Sequence, residues 1–560
     1  MLLYSLTIFL SAFLLFEVQP VIAKMILPWF GGSSAVWSTC MLFFQLVLLV
    51  GYLYAHWLNK LVPRRQAIVH SAVLAASLIS LPIIPNEHWK QAGLANPSLT
   101  LLALLAVTVG LPYFVLSSTS PLLQAWYART HTGGIPYRLF ALSNFASMLA
   151  LLTYPFVVEP ALPSKAQAWS WSGGFVCFAA ICCLTAWKTS RSKAVAHAHS
   201  VDATPSEAPG FFTRVLWLGL AASASVLLLA VTTHLTQDVA AIPFLWIVPL
   251  AVYLLTFIIC FESPRLYFRP AFIPLLVASL AFMAYRLWPG HDRMTMRPLI
   301  ALFAFGLFNC CMVCHGELVR LKPHPRYLTG FYVTVSLGGA IGGLFVGMVA
   351  PNLFHAYYEF PIGLILCALT VAIVFAISIW ESRSRRWVAV IGVLLVGAAL
   401  GYLSWKQREI WEIETTLAII GVAISAALLF PNRITKTAAT IALIGVFGLY
   451  TYWLGGTMFQ MVNGYDVVTR NFYGQLRVYR DIVEGLPLRR LVHGTINHGE
   501  QYTGDEYRRR PITYFCPQSG IGRGMTALHG PGRRIGVLGL GVGTLAAYAQ
   551  VGDTIRIYEI

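Results

Sequence analysis

Charge is what this sequence has least of. Asp, Glu, Lys and Arg together make up 11% of its 560 residues, less than half the roughly 25% of an ordinary soluble domain. Acids are the scarcer sign, 22 against 39 basic residues. So few charges cannot cover a soluble surface of this size, which excludes an ordinary soluble enzyme. A basic n-region is also missing: Met1-Leu2-Leu3-Tyr4 opens an apolar run that continues into Glu17-Val18-Gln19-Pro20 instead of a small-residue cleavage site. A retained first helix is predicted, not a removed signal peptide. The ten cysteines suggest no disulfide framework, because Cys40, Cys177, Cys182, Cys183, Cys260 and Cys367 fall inside apolar runs, where they act as small buried hydrophobes.

Hydrophobic residues are abundant instead, at 57%, and they come in runs long enough to span a bilayer, roughly 17 to 25 residues each. Six runs (2–22, 36–57, 67–84, 99–118, 137–158 and 166–187) form a first half, residues 1–187. A polar linker over 188–213 follows, then six more runs (215–235, 243–261, 270–288, 299–314, 328–349 and 361–380) in a second half, 214–380. Three further runs (387–405, 415–430 and 437–454) lie in 381–458, making 14–15 spans. The fold class expected is mainly α: a polytopic helical membrane domain of six plus six helices and extra ones. A small β-rich domain (459–530) and an incomplete Rossmann-like α/β domain (531–560) complete it.

The net charge of +17 does not indicate a nucleic-acid partner, because the cations sit in short loops between spans. Loops after the even-numbered spans carry Lys60, Arg64 and Arg65, then Arg129 and Arg138, Arg265 and Arg269, and Arg320, Lys322 and Arg326. By the positive-inside rule the N-terminus is cytoplasmic. The partner implied is the lipid bilayer, and the location an integral, multi-pass protein of a bacterial inner membrane. Fifteen crossings would put the C-terminal domain outside, so 415–430, the shortest run, is expected not to cross and that domain to be cytoplasmic.

The halves echo each other. Ser11-Ala12 before Leu14-Leu15 matches Ser223-Ala224 before Leu227-Leu228, and Leu139 with Ser147 matches Leu328 with Ser336. Parallel six-helix repeats build one large transporter class, with polar groups at the repeat interface; shared small-residue packing is the alternative. Glu17, Gln19, Asn144, Glu159 and His234 with Asp238 are polar groups in or beside spans. Several facing one cavity would make a path for a cationic substrate; otherwise they are separate packing groups. Cys311-Met312-Val313-Cys314-His315 has the spacing of haem attachment, but charge places it at the cytoplasmic end of its span, so neither haem nor metal is expected. His315 and Glu317 read as membrane-edge polar groups. Gly338-Gly339 and Gly342-Gly343 read as sites of close helix packing.

The C-terminal stretch Ile535-Gly536-Val537-Leu538-Gly539-Leu540-Gly541-Val542-Gly543-Thr544 carries the chemistry. Residues 535–538 read as a strand, Gly539, Gly541 and Gly543 as a tight turn, 544–549 as a helix start and 555–558 as a second strand. Glu559, about 20 residues after the first glycine, is placed to accept from ribose hydroxyls. With no sixth-position glycine, the turn fits an adenosylmethionine-type nucleoside better than a dinucleotide. Two strands and one helix cannot close a doubly wound sheet. A fragment is therefore expected, inactive as it stands, with its catalytic residues downstream of Ile560. Upstream, His493 and His498 flank a glycine-containing loop and serve either as substrate contacts or base, or as a structural turn. Glu500, Asp505 and Glu506 either attract a cation or form a solvated face.

Taken together, Arg470-Asn471-Phe472-Tyr473-Gly474, the run from His493 to Gln501, Pro511-Ile512-Thr513-Tyr514-Phe515 and the glycine turn ending in Glu559 resemble spermidine-synthase-like proteins fused to a membrane domain. Glu17-Val18-Gln19-Pro20, Leu27-Pro28-Trp29-Phe30-Gly31-Gly32 and Cys314-His315-Gly316-Glu317-Leu318 extend the resemblance to the membrane part. It implies a β domain followed by a class I methyltransferase-like domain. It also implies decarboxylated S-adenosylmethionine or S-adenosylmethionine as co-substrate, and aminopropyl transfer to a polyamine-like cation. Gly539, Gly541, Gly543 and Glu559 match the family's cofactor turn; Tyr473, Gln475, His493, His498 and Tyr514 fall where the family contacts substrate. The chain departs from the pattern at Gly474, at His493-Gly494-Thr495-Ile496-Asn497 and at Tyr514-Phe515-Cys516, which puts polyamine specificity in question. The alternative is a transporter or sensor of cationic small molecules whose nucleoside-binding domain does not catalyse.

Overall fold

The computed structural model describes residues 2–92, 96–130, 137–192, 208–237, 243–288, 295–324, 327–379, 436–528, 530 and 532–559. Among these, twelve helices are long and apolar enough to cross a membrane, and the chain is a multi-pass integral membrane protein. The first half comprises α1 (Leu2–Ile26), α2 (Ser34–Leu58), α3 (Pro63–Ser77), α4 (Pro97–Thr130, through a π turn), α5 (Tyr137–Thr153) and α6 (Ser164–Arg191). The second comprises α7 (Phe211–Thr236), α8 (Pro243–Glu262), α9 (Arg269–Leu287), α10 (Met296–Arg320), α11 (Leu328–Leu344) and α12 (Glu359–Ile379). A thirteenth helix, α13 (Lys436–Gln460), leads to the C-terminal region.

Of α1–α12, only α3 lies outside the twelve. A span was expected at 67–84; the helix starts on Pro63-Arg64-Arg65-Gln66 and ends at Ser77, followed by one 3-10 turn, Leu78–Ser80. Leu81 is extended because the residue before a proline, here Pro82, is driven out of the helical region. The runs at 387–405 and 415–430 lie outside the described residues, as does Asp238. α13 extends to Gln460, two residues into the region assigned to the sheet.

The two halves pack alike. α1 lies against α4, α5 and α6, and α7 against α10, α11 and α12; α2 lies against α4, and α8 against α10. The contacts between halves are reciprocal, α2 with α11 and α5 with α8. Ser11 and Ser223 fall on the equivalent helices α1 and α7, and Ser147 and Ser336 on α5 and α11, so the sequence echoes connect equivalent elements. Small residues permit the closest approach. A Cβ on Gly338 would stand 2.7 Å from the Leu218 carbonyl oxygen, and one on Gly342 would stand 2.8 Å from Ser225 Cβ. α7, the most deeply buried of the spans, can lie against α11 only with glycine there.

After α13 comes an antiparallel meander of β1 (Val467–Asn471), β2 (Gly474–Val483), β3 (Leu486–His493) and β4 (Ile496–Tyr502) in sequence order. Two-residue turns set its register: Glu484 and Gly485 both have positive φ, 53° and 78°, the geometry that matches strand twist in a tight hairpin. Beyond the meander come a short helix, α14 (Gly520–Ala527), and the parallel pair β5 (Arg534–Leu538) and β6 (Thr554–Tyr558). The helix expected at 544–549 is instead a 3-10 segment, Thr544–Tyr548.

The meander sits on one end of the helical body. Arg470 on β1 grips Glu359 at the start of α12, Gln475 Nε2 donates to the His355 carbonyl at 3.3 Å, and the Tyr473 ring covers Gly31, between α1 and α2. That is the end at which α1, α7 and α9 finish and α12 begins. α13 runs alongside α9 in the same direction, with Tyr450 Oη donating to Leu280 O (3.2 Å) and Trp453 Nε1 to Ala284 O (3.4 Å). α12 therefore ends, and α13 begins, on the opposite face, the one that carries the Lys- and Arg-rich loops.

Candidate functional site

In the glycine turn, β5 and β6 pair in register from Arg534 with Thr554 to Leu538 with Tyr558. A buried clamp closes the start of the pair. Arg533 Nη2 lies 2.5 Å from Asp553 Oδ2, and Asp553 also accepts from the backbone N–H groups of Arg533 (3.0 Å) and Gln550 (2.7 Å). The guanidinium first, then the Gln550 N–H, hold the Asp553 carboxyl down at about 2. At the other end Gly539, Gly541 and Gly543 all have positive φ, 88°, 55° and 71°, a path only glycine follows without strain. The space beside Gly539 is open, with no atom within 4 Å of where a Cβ would sit. The Glu559 carboxylate turns back onto the loop and accepts from the Leu540 N–H.

The β3–β4 hairpin packs on this turn. Gly499 meets Val542, the His498 carbonyl lies 3.2 Å from the Cβ position of Gly541, and Tyr514 Oη donates to that carbonyl at 3.0 Å. The His493 and His498 rings are 5.6 Å apart. Burial, then the neighbouring His493, hold the His498 imidazole below its ordinary value, against the opposing pull of Glu559. The fold thus gathers Gly539, Gly541, Gly543, Glu559, His493, His498 and Tyr514. Tyr473 and Gln475, expected to contact substrate, lie against the membrane body: the Tyr473 ring, in the β1–β2 turn, covers Gly31, and Gln475 points away from His493 because side chains alternate along β2.

A second opening lies between the two halves of the body, about 220 Å³, lined by residues of α1, α2, α4, α5, α7, α8 and α11. Gln19 and Asn144 both line it, with Ser117, Ser147, Tyr113 and Ser336. Glu17 does not. Among the described residues no lining residue is formally charged, so these offer hydroxyls and amides and no carboxylate for a cation. Two residues expected at the membrane edge are instead buried, since each finds a partner inside the body. Glu317 accepts from Arg269 Nε and Nη2 (2.6 and 2.5 Å) and from Tyr267 Oη (2.7 Å). His315 Nδ1 lies 3.1 Å from Thr256 Oγ1, between the Tyr253 and Phe257 rings. Cys311 and Cys314 are fully buried in the same helix.

A larger opening was not anticipated. About 740 Å³ lies between the meander and the ends of α7, α9, α12 and α13. Arg286, Arg477, Arg490 and Glu359 bring charge to it, and the one sequence signal was the alternation Gln475-x-Arg477-x-Tyr479, which puts three polar groups on one strand face. No protein-family model matches this chain, and no curated protein matches it.

Proposed function

We propose that the glycine turn holds an adenosine-type nucleoside and that the protein is a spermidine-synthase-like, membrane-anchored transferase. The observation that supports this most is Glu559: its carboxylate closes onto the Leu540 N–H across a turn of three left-handed glycines, as a ribose acceptor beside a Rossmann-like turn would. The open space at Gly539 leaves room for a ligand to approach the backbone. Decarboxylated S-adenosylmethionine or S-adenosylmethionine would be held by Gly539, Gly541 and Gly543, with its sugar on Glu559. It would supply the electrophilic carbon that an amine attacks, the carbon–sulfur bond breaking to release the thioether nucleoside as the amine loses a proton. His498, whose imidazole burial and His493 hold below its ordinary value, lies beside the turn and could take the proton of the attacking amine. The acceptor class is a polyamine-like amine.

A second reading, a transporter or sensor whose nucleoside unit binds without transferring, is supported by the reciprocal packing of two six-helix halves around a polar cavity. The docking of the meander also bears on it. The sheet sits on the face opposite the Arg- and Lys-rich loops, and the positive-inside rule makes that face the non-cytoplasmic one, where adenosylmethionine-type molecules are not expected. The test is incubation of the full-length protein, in detergent, with decarboxylated S-adenosylmethionine and putrescine. Spermidine above a Glu559→Ala control supports the transferase. Retained nucleoside without product supports the second reading, and neither signal overturns both.

A further inference from the structure

The opening between the meander and the membrane body holds more positive charge than its own residues neutralise. Glu359 is fully engaged by Arg470, at 2.7 and 2.8 Å. Arg490 is paired with Asp481 at 3.0 Å and with Glu500, which also accepts from Asn497 Nδ2. Two guanidinium groups remain. Arg477 on β2 donates only to neutral acceptors, Tyr465 Oη (3.1 Å) and the Gly494 carbonyl (2.6 Å), and its Nε is buried with no partner. Arg286, in the last turn of α9, likewise has a buried Nε with no partner. Among the described residues neither meets a carboxylate.

Both side chains are half-buried, each with an enclosed Nε, and a partly desolvated charge without a counter-ion is costly. Two of them, brought to one cavity from opposite walls, are explained by an anion that enters it. A guanidinium fork matches carboxylate and phosphate oxygens, but a carboxylate would neutralise one cation, and a phosphate monoester carries close to two negative charges. The volume, about 740 Å³, is in the range of small-molecule sites. Trp288, Leu287 and Phe360 give it an apolar side at the level where helix ends meet water. We propose that this junction is a binding site for a phosphate-bearing ligand, with Arg286 and Arg477 clamping the phosphate between the membrane body and the sheet. The source is either a soluble phosphate or the headgroup of an anionic lipid, and the two share this chemistry.

The test uses the full chain in nanodiscs. Calorimetric titration with inorganic phosphate in zwitterionic lipid, and competition by phosphatidylglycerol built into the disc, separate the two sources. Saturable phosphate binding, or its displacement by the anionic lipid, supports the site. Arg286→Gln and Arg477→Gln should each weaken binding about ten- to a hundred-fold, the loss of a charge-assisted hydrogen bond. Arg286→Gln, which removes a cation that meets no carboxylate among the described residues, should not melt lower than the parent without phosphate. Should a variant not fold, the parent carries the test: phosphate must raise its melting temperature above that in chloride at equal ionic strength. No response to phosphate or to phosphatidylglycerol, or unchanged affinity in the double variant, overturns the proposal.

Discussion

Arg470 and Glu359 form a two-pronged ion pair, 2.7 and 2.8 Å, with both side chains almost completely enclosed. One residue belongs to the first strand of the meander and the other to the first turn of α12, where a carboxylate also suits the helix N-terminus. Arg470 further donates to the Ala356 carbonyl at 3.1 Å and lies 4.0 Å over the Tyr357 ring. This is the pin between sheet and membrane body. Glu359→Ala leaves a buried guanidinium unpaired and should destabilise the docked state by about 3–5 kcal/mol. Replacing both, Glu359→Leu with Arg470→Met, should recover much of the loss. Hydrogen exchange of 467–502 checks both outcomes, and normal protection in the single variant would show that the pair does not hold the sheet.

The position of the meander predicts a sidedness. Arg508, Arg509 and Arg510 are exposed, and the sheet they follow lies on the face away from Arg64 and Arg65. Trypsin should therefore cleave 508–510 from the side on which it cannot reach the loop at 60–65. Cleavage of both segments from one side would contradict the docking.

His498 gives a pH dependence with a definite sign. Burial and His493 lower its folded-state value beneath the ordinary one, about 6.5. The unfolded chain then binds more protons below that pH, so stability falls as pH drops through about 6.5 and levels once the folded form is also protonated. Hydrogen exchange of 496–502, corrected for intrinsic rates, should show weaker protection in mild acid. His498→Gln should flatten the profile, and an unchanged profile would remove the histidine from the account.

Asp553 behaves in the opposite range. Its folded value, about 2, lies under the unfolded value of about 3.9. Its stabilising effect is thus complete above about 3.9 and is lost as pH falls through about 2. Asp553→Asn should loosen the β5–β6 pair at neutral pH, read as faster exchange in 534–538 than in 486–493. Equal protection in variant and parent would show the clamp to be dispensable.

The membrane body was readable because hydropathy reports span length directly, and the serine echoes at 11 and 223 and at 147 and 336 do fall on equivalent helices. β5, β6 and the turn were readable because strand alternation and glycine spacing are local signals. The rest is nonlocal. Nothing adjacent to Glu359 announces Arg470, more than a hundred residues away. Tyr473 and Gln475 sit beside His493 in the motif pattern, yet strand alternation turns Gln475 to the opposite face. The helix expected at 544–549 lost to a 3-10 segment in which Tyr548 Oη donates to Phe515 O (2.6 Å), a tertiary contact no window on the sequence contains. Arg286 and Arg477 acquire meaning only when two distant elements enclose a shared cavity.

Equilibrium dialysis of labelled 5′-methylthioadenosine against the purified chain tests the proposed nucleoside binding at the glycine turn most directly. Saturable binding by the parent, weakened about ten- to a hundred-fold in Glu559→Ala and unaffected by Glu484→Ala on the far hairpin, is the predicted result. Binding that is absent, or equal in the parent and Glu559→Ala, contradicts it.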